Sequence, residues 1–196
     1  DEGSYFSATN AAVATGIAGH AAPVVADTDT KALLHIFNNS GTKNIVLDYV
    51  FLEVTAAGTA GTITYAVVYL DNTKVTAKSS GGTVLVPANN RSDGSATTSA
   101  VVTFGAVVTV TGMTKVFNQI IREVIPVVQD TVLMKFGGVN AGAHAGLTTA
   151  GTATSHTVLH APPIVIGPGG NFNLAHIRPS QSAAASYQVS LGYWER

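Results

Sequence analysis

From residue 31 onward the chain is a succession of short apolar runs cut apart by Gly, Asn, Asp and Pro, and this spacing predicts strands joined by turns. Runs at 33–38, 45–55, 63–70, 100–111, 131–136, 172–177 and 187–195 all have strand length. Short strands are also read at 157–160 and 164–166, and weaker ones at 74–78 and 83–87. The sequences Asn38-Asn39-Ser40-Gly41, Asp71-Asn72 and Gly167-Pro168-Gly169-Gly170 are turn chemistry. Roughly nine or ten strands at spacings of about a dozen residues give an antiparallel sandwich or barrel.

Side-chain alternation assigns faces. In 187–195, Tyr187, Val189, Leu191 and Tyr193 point one way, and Gln188, Ser190, Gly192 and Trp194 the other. The run 45–55 is apolar on both faces around Asp48, which predicts a strand covered on both sides. Segment 115–125 is the one place where a helix competes. Its Ile and Val content favours a strand, ended by Pro126. Long polar or small-residue connections at 88–99 and 137–154 suggest Greek-key crossings. The expected fold is all-β: an antiparallel β-sandwich of jelly-roll type, with residues 31–196 as a single domain. Residues 1–30 are rich in small side chains and read as an extended N-terminal arm, with a short strand near Tyr5 and Phe6. Those two aromatics either anchor the arm on a neighbouring subunit or cover this chain's own sheet edge.

Composition bears on what the outside of such a sandwich faces. Only 11% of residues are charged, 46% are hydrophobic and mean hydropathy is +0.30, a weak exterior for a protein that works alone in water. Packing against other subunits is therefore expected. Net charge is −1 and no block of Lys or Arg occurs, so phosphate neutralisation of nucleic acid and a basic membrane-surface helix have no footprint. There is no cysteine, which excludes disulfides and thiolate metal sites. No apolar run follows Asp1 and Glu2, so no signal peptide is expected. Without an initiator Met, either an N-terminal piece has been removed or the chain is a truncated form.

Motifs for chemistry are absent. His156 and His160 are four apart, but on a strand that separation is about 13 Å, too far for one metal ion. Asp48 and Glu53 differ by an odd number, so a regular strand sends them to opposite faces. No matched carboxylate pair, nucleophile elbow or phosphate loop is present. No enzyme activity, metal or cofactor is expected. The charged residues of apolar runs, Asp48, Glu53 and the neighbours Arg122 and Glu123, either pair within the sandwich or across a subunit boundary, or sit on a solvated edge. Trp194, Tyr65 and Tyr69 could form a sugar platform, although strand aromatics are more often core.

The C-terminal third carries Pro163-Ile164-Val165-Ile166-Gly167-Pro168-Gly169-Gly170, then Phe172, Leu174 and Pro179-Ser180-Gln181-Ser182, and closes on Leu191-Gly192-Tyr193-Trp194-Glu195-Arg196. With the N-terminal run Ser4-Tyr5-Phe6-Ser7-Ala8-Thr9-Asn10, this resembles the small β-rich structural proteins that decorate or cement the heads of tailed bacteriophages. The resemblance implies a non-enzymatic jelly roll on the capsid exterior. It would be a homotrimer, partnered by itself and by the major capsid protein, with an N-terminal arm reaching its neighbours. The interface residues to expect are Tyr5, Phe6, Arg122, Glu123 and Trp194. The alternatives are a tail-fibre or spike module that binds a host glycan, with Asn89, Asn90 and Asp93 on its loop face, and a major shell subunit.

Overall fold

The computed structural model describes residues 3–10, 12–13, 15–20, 24–59, 64–71, 79–95, 97–108, 112–122, 127–137 and 156–196. Among them are fifteen strands and no helix. In chain order these are β1 (Ser4–Thr9), β2 (Ile17–Ala18), β3 (Lys31–Asn38), β4 (Ile45–Ala56), β5 (Thr64–Leu70), β6 (Ser79–Ser80), β7 (Thr83–Leu85) and β8 (Ala88–Asn89). They continue as β9 (Ala100–Val108), β10 (Thr114–Arg122), β11 (Thr131–Phe136), β12 (His156–Ala161), β13 (Val165–Ile166), β14 (Asn171–Ile177) and β15 (Ser186–Glu195).

Two sheets pack face to face. The front sheet runs β12-β11-β4-β15-β1-β8, with β13 on β4 and β2 on β15. The rear sheet runs β10-β5-β14-β3-β9-β6, with β7 also on β9. Pairing is nested: β1 with β15, β3 with β14, β4 with β11, and β5 with β10, alternating between the sheets. The one exception to antiparallel pairing is β11 with β12. Parallel neighbours need a long connection, and in the chain β11 and β12 are separated by nineteen residues. That pair is not legible in the sequence.

The core lies between the sheets and is built from the inward alternation of both. Phe6, Leu34, Ile36, Leu52, Phe104, Phe172, Leu191 and Tyr193 are all fully buried there. Aromatic pairs tie one sheet to the other. Phe104 of the rear sheet meets Tyr187 of the front edge-on at 6.0 Å, and Phe136 of the front meets Phe172 of the rear at 5.9 Å. Such pairs add about 0.5–1.5 kcal/mol each beyond their burial.

Several expectations change. Ser4–Thr9 is an inner strand of the front sheet, paired on both sides, and not a free arm. Phe6 stacks on Tyr193 at 5.7 Å inside this chain's own core, because the alternation of β1 turns it inward. Segment 115–125 is a strand as far as Arg122, its last residue, which pairs with Thr64 on the rear-sheet edge. Glu123 lies outside the described residues, as do 74–78 and most of the 137–154 connection. The β4 strand is not buried on both sides: Val46, Asp48, Tyr49, Phe51 and Glu53 are all half-buried on its outer face, which nothing among the described residues straps. A bulge between Leu47 and Tyr49 breaks the parity that sent Asp48 and Glu53 to opposite faces, and both now point outward.

The rear sheet, by contrast, is covered on its outer side by the chain itself. Val24, Ala32, Val67, Tyr69, Met113, Ala175 and Ile177 form a second buried cluster there. The segment from Val24 to Thr30 straps over it. The Arg178 amide donates to the Val24 carbonyl at 2.8 Å, the Met113 amide donates to Asp29 at 2.8 Å, and Asn173 Nδ2 donates to the Asp29 carbonyl at 2.6 Å. Asp27 takes Tyr69 Oη and Lys115. Every residue of β14 is buried, as a strand covered on both faces requires.

Candidate functional site

Among the described residues no such strap lies over the outer face of the front sheet. Register places rows of outward side chains on adjacent strands. One row is Val158, Leu133, Phe51 and Ser190. The next is His160, Lys135, Tyr49 and Gly192. A third is Val165, Val46, Trp194 and Tyr5. Val165 is 51% exposed, and the other large apolar side chains in these rows are half-buried. The result is one continuous surface of aliphatic and aromatic groups, interrupted by Asp48, Glu53, Lys135 and two histidines. A smaller exposed apolar spot, Val84 and Val86, lies at the rear-sheet edge.

At the β1 end of this face the surface opens into a groove of about 570 Å³ lined by Gly3, Tyr5, Asn90, Arg91, Trp194 and Arg196. Tyr5 and Trp194 are register partners and meet edge to face, their ring centres 4.9 Å apart. Tyr5 Oη donates to Asp48 at 2.9 Å. Burial, and then that carboxylate, push the phenol well above its ordinary range. Gly192 makes the arrangement possible, since a Cβ there would lie 2.0 Å from Tyr5 Oη. The Arg196 guanidinium sits 5.4 Å from the Trp194 ring centre. Across the groove Arg91 holds Asp93 through Nε at 2.5 Å and Nη2 at 3.1 Å. The loop is fixed to β1 by the Asn90 amide on the Tyr5 carbonyl at 2.9 Å and Ser7 Oγ on Asn90 at 2.7 Å.

The expected interface residues therefore separate. Tyr5 and Trp194 come together on the open face, Phe6 is in the core, Arg122 is at the far edge of the other sheet, and Glu123 is not described. Of the aromatics read as a sugar platform, Tyr69 is buried beneath the strap, whereas Trp194 borders the groove. Among the described residues no group of three His, Cys, Asp or Glu could hold a metal ion, and no helix is long and apolar enough to cross a membrane. His156 Nδ1 is hydrogen-bonded to Thr131 Oγ1 at 2.7 Å.

Asp71, Asp130, Arg178 and Glu195 are buried charges that the sequence does not announce. Glu195 is held at the inner end of β15 by Lys43 Nζ at 3.0 Å, Thr98 Oγ1 at 2.8 Å and the Ser99 amide at 2.8 Å. Burial pushes its carboxyl up, but the Ser99 amide, Lys43 and Thr98 outweigh that and keep it below its ordinary range. Arg178 is buried at the opposite end of the same strand. Comparison with protein-family models, curated proteins and solved structures finds no match to this chain.

Proposed function

We propose that this chain is a non-enzymatic virion structural protein, a decoration or cement subunit that binds the outside of a bacteriophage head as a homotrimer. One observation carries the reading: the rear sheet is roofed by the protein's own strap, while among the described residues nothing roofs the apolar front-sheet face of Val46, Tyr49, Phe51, Leu133, Val158, Val165, Tyr5 and Trp194. A contiguous apolar surface of this kind marks a contact with another protein. A standard interface needs about 800 Å² from each partner, a modest part of this chain's 9327 Å². The nested strand pairing supports the jelly-roll type for the sandwich. The groove-side end, with Tyr5 and Trp194, is the part assigned to the neighbouring subunit or to the major capsid protein.

Light scattering after size exclusion at about 10 µM is expected to give three times the 20.0 kDa chain mass, and Phe51→Lys with Leu133→Lys to give a folded monomer. Cosedimentation with isolated head shells tests the second partner. A wild-type monomer that ignores the shells ends the proposal.

The groove favours a second reading, a spike or tail-fibre module for host glycans. Aromatic rings beside Asn90, Arg91 and Arg196 suit an acidic saccharide. Binding on a glycan array that Trp194→Ala and Arg91→Ala both abolish would favour it. An empty array removes it.

A further inference from the structure

At the end of the sandwich away from Glu195, β14 runs into the turn that leads to β15, and a small chamber lies between that turn and the residues that follow β2. It is lined by His20, His176, Arg178, Gln181 and Tyr187, with aliphatic walls. Arg178 is 6% exposed and His176 7%. The guanidinium donates once, from Nη2 to Tyr187 Oη at 2.5 Å, and lies 5.8 Å from the centre of that ring. Its Nε and Nη1 have no hydrogen-bond partner, nor has either nitrogen of His176, nor His20 Nε2. Gln181 is turned away, its Nε2 donating to the Thr59 carbonyl at 2.8 Å.

Among the described residues no carboxylate answers the charge in this chamber. The ion pairs among the described residues are Lys43–Glu195, Arg91–Asp93 and Lys115–Asp27, and Arg178 belongs to none of them. Tyr187 does not supply a negative charge, because burial pushes its phenol up more strongly than Arg178 pulls it down. His176 adds no positive charge, since burial and then Arg178 bring it down to about 3. One buried positive charge remains, with two unanswered guanidinium donors. A buried charge is tolerated where it is paired, and a water would supply an acceptor but no charge. The free space is about 20 Å³, room for one water-sized particle and too little for sulfate or phosphate.

We propose that this chamber is a binding site for a single small monoanion of chloride size, held by Arg178 Nε and Nη1 with an imidazole N–H of His176 beside it. The ion would fasten the turn at 178–185 to the end of β14 and to the residues that follow β2.

The purified wild-type chain is melted at constant ionic strength in sodium chloride, bromide, sulfate and gluconate. The midpoint is expected to rise by about 3–5 °C for each tenfold increase in chloride above its dissociation constant, likewise with bromide, and not with sulfate or gluconate. Arg178→Leu is expected to abolish that halide dependence. Equal midpoints in chloride and gluconate would overturn the proposal, as would an Arg178→Leu protein with the wild-type halide response. Should Arg178→Leu not fold, chloride NMR on the wild type decides: line broadening that bromide displaces supports the site, and no broadening overturns it.

Discussion

Replacing Glu195 by Gln keeps the shape of a side chain that is 1% exposed while removing its charge. Oε2 accepts from Thr98 Oγ1 and the Ser99 amide, and Oε1 from Lys43 Nζ and, at 3.3 Å, Ser99 Oγ. The glutamine oxygen can keep the Ser99 amide, which leaves its NH2 pointing at the Lys43 ammonium, donor against donor. Lys43 is 55% exposed and can swing into water, so that pair is worth under about 1 kcal/mol. The larger loss is charge assistance to the buried Ser99 and Thr98 donors, and the sum is about 2–3 kcal/mol. For a chain of this length that lowers the thermal midpoint by about 4–12 °C, whereas Lys43→Met lowers it by less than about 4 °C. The sign with pH follows from the depressed carboxyl. Between its folded value and the ordinary 4.5, the unfolded chain binds a proton that the folded chain does not. The contribution is therefore complete above the ordinary value and drains away as pH falls through the folded one, and Glu195→Gln lacks that drain. Circular-dichroism melts of the three proteins from pH 7 downward test this. Glu195→Gln melting within about a degree of wild type, or Lys43→Met costing as much, would refute the reasoning.

Phe6→Ala removes a ring that is 1% exposed and stacked on Tyr193, so it is expected to cost about 3–5 kcal/mol in a chemical unfolding titration. A cost under about 1 kcal/mol would mean that β1 is a detachable arm after all. His176 is depressed to about 3, so the unfolded chain takes up its proton first and stability falls as pH drops below about 6.5, by about 1.4 kcal/mol per pH unit. His176→Phe should flatten that part of the acid-unfolding profile, and an unchanged slope would show that His176 is not the group responsible.

What could be read from the sequence was whatever depends on period and turn chemistry. The faces of 187–195 stand as alternation gives them, because β15 is long, has one face in the core, and takes no extra residue at either register shift, both falling on β4. The β4 faces went wrong for two reasons. The bulge at Asp48 shifts the phase by one residue, and an apolar outer face reads the same whether its cover is the same chain, another chain or nothing. Whether Phe6 faces a neighbour or this chain's own sheet is not legible, because small neighbours such as Ser7 and Ala8 look like linker while the partners of β1, β15 and β8, are distant in sequence. Arg178 and Glu195 sit next to strand ends, where a charge ordinarily meets water. Their burial comes from loops distant in sequence, Thr98 and Ser99 for one and Gly19 and His20 for the other. The groove was half legible: Tyr5 and Trp194 were each singled out, but their contact depends on the pairing of the first and last strands.

That pairing also divides the molecule by role. Asn10 reaches across from the end of β1 to the backbone of β15, donating to the Tyr187 carbonyl at 3.2 Å and accepting from the Val189 amide at 2.6 Å. The first and last strands are thus locked together, and Tyr5 and Trp194 are set on paired neighbouring strands. A surface fixed in advance loses less freedom on association, so the open face needs less buried area for a given affinity than a disordered arm would. The rear strap makes the opposite use of its residues, spending Val24, Asp27 and Asp29 on its own sheet. Substitutions under the strap should therefore change stability in the isolated chain, while those at Phe51 and Leu133 should change association and leave the fold intact.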